Sequence, residues 1–322
     1  MSSGDFLQTN AETKLCEPYM AAGAVCSFST NCERLLDAAR NSFLQVTLPP
    51  VSVDFSIRFW VDKAQPAKPP WPKPYVRGVG HLIFTGFDAE SSMLADLRTR
   101  RVIGRFSEGM AADITYWKTV IFPILLSVLA GSVGLVELHA SCVAKDRRGL
   151  VLIGPSRSGK STLAMALTEA GFRLLSDDRT FCSLKKDKLL AWGLPRPLKL
   201  RRDAGAWFDE FRDREPSDLQ NGERVFHCQL DRASEGQRFQ ECEPRLVVFL
   251  ERQQISGFHL TQMTSIDVRS RIEQELMAED FEAVQKQTET IDQLLTLPCR
   301  RLLYGGRPQV IAEQLDAVLE QF

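Results

Sequence analysis

Three groups of residues have types and spacings suited to chemistry. The run LVLIGPSRSGKSTLAMAL, Leu150 to Leu167, sets Gly154, Pro155, Ser156, Arg157, Ser158, Gly159, Lys160 and Ser161 in the pattern G-x-x-x-x-G-K-[ST], with Thr162 as a further hydroxyl. Backbone N–H groups of such a turn, together with the positive end of the following helix, hold phosphate oxygens. Lys160 is then placed to reach the outer phosphates and the Ser161 hydroxyl to ligate Mg2+. Downstream, RLLSDD brings Asp177 and Asp178 to the end of a short apolar segment. Adjacent carboxylates there can diverge, Asp177 toward a metal and Asp178 toward an acceptor hydroxyl whose proton it takes as general base. His139, within LHASCV, is the third candidate, although a lone histidine on an apolar strand is more often a core residue.

These residues need elements to hold them. VELHASCVA and LVLIG read as strands, STLAMALTEAG as a helix and FRLLSDD as another strand, an alternation that predicts a compact α/β nucleotide-binding core. FCSLKKDKLLAWG reads as a hairpin about KKDK, RLVVFLER and CRRLLYGG as strands, Asp267 to Leu297 as helical, and PQVIAEQLDAVLEQF as a last helix. The charged stretch Phe208 to Glu241 lacks sustained periodicity and reads as a loop region.

The amino-terminal part differs in character. STNCERLLDAAR predicts a short amphipathic helix capped by Thr30 or Asn31. Alternation in VSVDFSIRFWVD buries Val53, Phe55, Ile57 and Phe59 on one face and predicts a strand of an antiparallel sheet. The proline-rich QPAKPPWPKPY reads as an extended loop, and GHLIFTGF and RRVIGRF as short strands. Residues 1–110 are expected to form a β-rich unit and residues 111–322 the nucleotide-binding domain. Val120 to Val136 carries no charge, but Pro123, Gly131 and Gly134 divide it and it runs into a strand. It is expected to be a core helix and not a membrane span.

Bulk properties narrow the classes. The chain has 322 residues, 44% of them hydrophobic, with 40 Lys plus Arg against 41 Asp plus Glu and a net charge of −1. That balance provides no global field to draw it to nucleic acid or an acidic membrane surface. Eight cysteines are scattered without C-x-x-C spacing or a nearby histidine to complete a zinc pattern, so they read as reduced thiols. The first residues, MSSGDFLQTN, have neither the positive start nor the apolar run of a secretory signal, and a cytoplasmic location is expected.

Taken together, LHASCVAKDRRGLVLIGPSRSGKSTLAMALTEAGFRLLSDD resembles the catalytic domain of HPr kinase/phosphorylase and its relatives. His139, Gly154 to Ser161 and Asp177-Asp178 match that family's order and spacing, and looser similarity, including LLYGGRP, extends over the carboxyl two-thirds. The resemblance implies a P-loop serine kinase of a protein or peptide, using ATP and Mg2+. Within it, Asp178 is the base, His139 assists near the reacting phosphoryl group, Lys160 stabilises its charge, and Ser161 with Asp177 serves the metal. Members often assemble as homo-oligomers, which makes self-assembly an expectation here.

One departure is visible. The family's stretch with a magnesium-binding glutamate is here AWGLPRPLKLRR, which holds no carboxylate; Asp203 follows it. The reverse phosphorylase reaction is therefore not implied. The basic run Arg196, Lys199, Arg201 and Arg202 could grip an acidic peptide or ATP phosphates, with a solvated strand edge as the plain alternative. Kinases of ribosomally made peptides share this build, so a peptide acceptor suits the sequence as well as a carrier protein. Two other readings stay open: a kinase of a small-molecule alcohol, and an ATP-gated binding module without phosphoryl transfer.

Overall fold

The computed structural model describes residues 13–46, 52–62, 68–194, 197–218, 223–228, 241–254, 257–274, 276 and 281–322. It is a mixed α/β structure with two large sheets, and contacts divide it into two compact units. The first comprises Met1–Gly134 with Met277–Gln287, and the second Leu135–Leu276 with Thr288–Phe322.

The first unit is an eight-stranded sheet of β1 (Leu15–Ala21), β2 (Ala24–Thr30), β3 (Leu44–Gln45), β4 (Phe55–Asp62), β5 (Tyr75–Val79), β6 (Leu82–Gly86), β7 (Ser92–Asp96) and β8 (Arg101–Ser107). Its order is β3-β1-β2-β4-β8-β7-β6-β5. The alternation in β4 does bury Phe55, Ile57 and Phe59, but Val53 is exposed and β4 lies parallel to both β2 and β8, not antiparallel. Alternation reports which face is buried and is silent on the direction of the neighbours. The helix Glu33–Arg40 starts at Cys32 with no side-chain cap; Thr30 instead accepts the Cys32 N–H, at 3.2 Å.

The helical run Ile114–Val133 is long and apolar enough by length and composition to cross a membrane. Its Trp117, Ile121, Phe122, Leu125 and Leu126 are nevertheless buried in protein. Trp117 stands 4.6 Å from the Phe106 ring and 5.3 Å from Phe122, and Phe59 stands 5.0 Å from Phe106. Such ring contacts contribute beyond the area they bury. Because this helix packs on the first unit's aromatic core, the contact division falls at Gly134/Leu135, later than the boundary at 110/111 that composition suggests.

The second unit holds a sheet of β9 (Val136–Leu138), β10 (Ala140–Lys145), β11 (Arg148–Ile153), β12 (Arg173–Ser176), β13 (Thr180–Lys185), β14 (Lys188–Gly193), β18 (Glu241–Arg252), β19 (Gly257–Gln262) and β20 (Cys299–Gly305). A separate three-stranded sheet is made of β15 (Leu198–Arg201), β16 (Ser217–Asp218) and β17 (Arg224–Cys228). The stretch from Phe208 thus contains paired strands, and residues 219–222 and 229–240 lie outside the described set. In place of one helix from Asp267 to Leu297 there are two, Ser265–Glu273 and Phe281–Leu294.

The central strands β11 and β18 read as unbroken apolar runs because both faces are covered, as a sheet between helical layers requires. Leu150, Leu152, Leu246 and Val248 pack with Leu163 and Leu167 of the helix Lys160–Glu169 and with Ile311 and Leu315 of Pro308–Leu319. Val151, Ile153, Val247 and Phe249 face Val268, Ile272, Ile291 and Leu294 on the other side. All eight cysteines are free; Cys142 and Cys242 approach to 3.7 Å between sulfurs without a bond.

Candidate active site

The GPSRSGKS turn links β11 to the helix that begins at Lys160. Its path is left-handed at Arg157 (φ 70°) and Gly159 (φ 91°). A side chain at Gly159 would be strained by that angle and would also run into the Tyr304 hydroxyl, which donates to Ser158 O at 2.6 Å and braces the turn. At Gly154 a Cβ would stand 2.6 Å from Ser158 Oγ and 3.0 Å from Leu250 O, so the strand end and the turn pack without room for one. The backbone geometry therefore selects both glycines.

Lys160 is 7% exposed. Its Nζ donates to Gly154 O at 2.6 Å and Pro155 O at 3.3 Å and meets His139 Nε2 at 3.1 Å. Asp177, 8% exposed, sits where β12 ends. Its Oδ1 accepts from Ser161 Oγ at 2.9 Å and Ser141 Oγ at 2.8 Å, and its Oδ2 from the Lys199 amide at 3.2 Å. Burial pushes its pKa up and these donors pull it down, with burial the larger effect.

Asp178 takes a different course from its neighbour. At φ 78° it is left-handed, and its side chain is 60% exposed. The turn is fixed from both sides: Thr180 Oγ1 donates to Ala140 O at 2.9 Å and Arg179 pairs with Glu137 at 2.7 Å. His139 Nδ1 then reaches Asp178 Oδ1 at 3.0 Å and its carbonyl at 3.1 Å. That imidazole holds the Asp178 pKa below the usual carboxylate range, and Asp178 in turn raises that of His139 against burial and the Lys160 ammonium. With Nδ1–H on Asp178, the neutral ring offers Nε2 as acceptor to Lys160.

His139 reaches this position through a break that its apolar surroundings conceal. The expected strand Val136 to Ala144 is two strands. Leu138 in β9 pairs with Thr180 of β13, whereas Ala140 in β10 pairs with Ile153 of β11. His139 stands between the two pairings, half-exposed, instead of lying in a ladder.

One cavity of about 320 Å³ gathers these groups: His139, Ser156 to Thr162, Asp177 and Asp178 line it. Gly154 and Pro155 act from behind through their carbonyls. Of the basic run, Lys199 and Arg201 line the cavity, Arg202 does not, and Arg196 lies outside the described residues.

No protein-family model matches the chain. Over 118 residues it is 32% identical to an HPr kinase/phosphorylase of Lactobacillus gasseri, a match covering 37% of this chain and 35% of that protein. This chain is related to the HPr kinases/phosphorylases. The match spans about a third of the length of that relative. A structure of the Hpr(Ser) kinase/phosphatase from Coxiella burnetii aligns with 57% of this chain and 97% of its own, at 14% identity and a TM-score of 0.30, a value that carries no argument about the fold.

In this HPr-kinase-like chain several residues that line or brace the site give no local sign in the sequence. Ser141 is one residue in an apolar strand, and Tyr304 lies far from the turn it braces. Arg252 ends β18, and Glu223 precedes β17 and pairs with Arg201. Asp203, following the carboxylate-free stretch, also lines the cavity. Among the described residues no group of three or more His, Cys, Asp or Glu side chains is arranged to hold a metal by itself.

Proposed function

We propose that this chain is an ATP- and Mg2+-dependent kinase, built on a P-loop core, that transfers the γ-phosphoryl group to a serine hydroxyl of a protein or peptide. The observation that carries the reading is the division of labour between neighbouring carboxylates. Asp177 is buried on the Ser161 hydroxyl, and Asp178 is exposed in the same cavity on His139. The kinase activity in the name of the Lactobacillus gasseri relative agrees with it.

The donor set suits magnesium, a hard cation that takes oxygen ligands. Ser161 would hold it through the lone pairs of Oγ while its O–H donates to Asp177, whose carboxylate adds negative charge behind it. Bound there, the metal supplies positive charge to the phosphate oxygens. Asp203 and Glu223 are the further carboxylates on the cavity wall.

Asp178 accepts the proton of the seryl hydroxyl as its oxygen bonds to the γ-phosphorus and the bond to the β–γ bridging oxygen breaks, releasing ADP. A carboxylate with a lowered pKa is a modest base, but phosphoryl transfer passes through a loose transition state in which positioning outweighs basicity. His139 fixes the Asp178 carboxylate from Nδ1 and receives Lys160 at Nε2, so base and phosphate cation are aligned by one ring. Lys160 exchanges its carbonyl contacts for phosphate oxygens.

The test is to incubate the purified protein with ATP, Mg2+, candidate acceptor peptides and proteins and a pool of small alcohols, and to read the products by mass spectrometry. A phosphoryl mass on a serine supports the reading. A phosphorylated metabolite with unmodified peptides would move the acceptor to small alcohols, and nucleotide binding without transfer would make the chain a binding module.

A further inference from the structure

We propose that Arg252 holds the leaving nucleoside diphosphate by its phosphates, on the flank of the GPSRSGKS turn opposite the acid pair. This rests on the kinase reading above. The sheet order β12-β10-β11-β18 places the strand that feeds the turn between two flanks. Asp177 and Asp178 come from the end of β12, on one side. Arg252 comes from the end of β18, on the other. Because β18 runs parallel to β11 with Ile153 beside Phe249, Arg252 continues three residues past that pair, as Ser156 does on the turn.

The surroundings of Arg252 agree with that role. Its cross-strand partner is Tyr304, whose hydroxyl braces the turn at Ser158 O. The Arg252 charge acts on that hydroxyl, opposing the upward push of burial on its pKa. Glu251, next in the chain, is engaged elsewhere by Arg301. Among the described residues no acidic side chain pairs with Arg252, whereas Arg201 has Glu223 and Arg179 has Glu137. An exposed arginine lining the same cavity as Lys160 without its own counter-ion is a cation available to an anionic ligand.

Transfer chemistry assigns the side. The attacking and leaving oxygens lie roughly in line through the phosphorus. With Asp178 marking the attacking side, the opposite flank belongs to the departing diphosphate. A guanidinium matches phosphate oxygens two at a time, a geometry that lysine does not reproduce.

The experiment is calorimetric titration of ADP, and separately of inorganic tripolyphosphate, into wild type, Arg252→Ala and Arg252→Lys. Thermal unfolding of each variant confirms that it is folded. The proposal expects Arg252→Ala to weaken both ligands about tenfold or more, the loss of a charge-assisted contact, with partial recovery in Arg252→Lys. In turnover the KM for ATP should rise while that for the acceptor does not. Wild-type affinity for both ligands in Arg252→Ala would overturn the proposal alone. Weakening of ADP with tripolyphosphate unchanged would overturn the phosphate contact in favour of the nucleoside. If the wild type binds neither ligand, the kinase reading falls and takes this proposal with it.

Discussion

Each compact unit builds a large sheet, and they differ in what they bury. In the first, the described buried polar side chains are neutral: Thr30, Ser42, Thr85, Ser91, Ser107, Ser132 and Gln287. Its interior is a chain of rings from Phe28 through Phe59, Phe106 and Trp117 to Phe122. The second unit has a mainly aliphatic interior and buries two charged groups, Lys160 and Asp177. Burying a charge is costly unless it is paired and hydrogen-bonded. Asp177 accepts three hydrogen bonds and Lys160 has two carbonyls and an imidazole, so the cost is met locally around one turn. The contrast teaches that stability and chemistry are placed in different interiors, and substitutions should separate them.

The largest effect is expected in the ring core. Trp117→Ala removes a fully buried indole whose Nε1 donates to Met110 O at 2.9 Å, and should cost about 3–5 kcal/mol in urea denaturation. A loss under about 1 kcal/mol would break the contrast, since this interior would then not depend on its rings. Next comes Lys160→Met, expected to lower transfer by about 10²–10³-fold, the scale for losing one electrostatic stabiliser at a reacting centre. Unchanged turnover would remove Lys160 from the chemistry. Ser141→Ala takes one donor from the buried Asp177 carboxylate and should cost about 1.5–3 kcal/mol of stability. Because that loss pushes the Asp177 pKa further up, the deficit should deepen as pH rises through the folded value of Asp177, itself raised above the ordinary 3.8.

The smallest effect belongs to the exposed pair His139 and Asp178. Asp178 is depressed, so its contribution is present above its ordinary 3.8 and lost as pH falls through the folded value. His139 is raised, so its contribution is present below its ordinary 6.5 and lost as pH rises through the folded value. Stability measured for wild type against His139→Gln should therefore differ most between pH 3.8 and 6.5, and by less than about 1 kcal/mol because the pair is solvated. A difference that is flat with pH would show that the pair does not couple in the folded protein.

How far the sequence could be read follows from the range of each signal. The GPSRSGKS turn is a local event, strand to left-handed glycine to helix, and its pattern is legible within a dozen or so residues. The hairpin about KKDK is legible for the same reason, with Lys186 and Asp187 left-handed in the turn. The direction of β4 and the break at His139 are decided by which distant strands pair with them, and neither leaves a local mark. VELHASCVA reads as one strand because Val136, Leu138, Ala140, Cys142 and Val143 are buried in both of its strands, whatever their partners. Arg252 reaches the cavity, and Ser141 and Tyr304 reach the groups that line it, only through sheet register, which links residues as far apart as Ser158 and Tyr304.

The most direct test of the central assignment measures nucleotide affinity and phosphoryl transfer together in Asp178→Asn. Asn keeps the size of the side chain and an oxygen for His139 while removing the base, and the Ser161 hydroxyl donates to Asp177. Using γ-labelled ATP, Mg2+ and an acceptor that the wild type modifies, the account predicts ATP affinity within about twofold of wild type and transfer reduced by about 10²–10⁴-fold. Transfer at the wild-type rate would contradict the assignment of Asp178 as the base and with it the division of labour between the two aspartates.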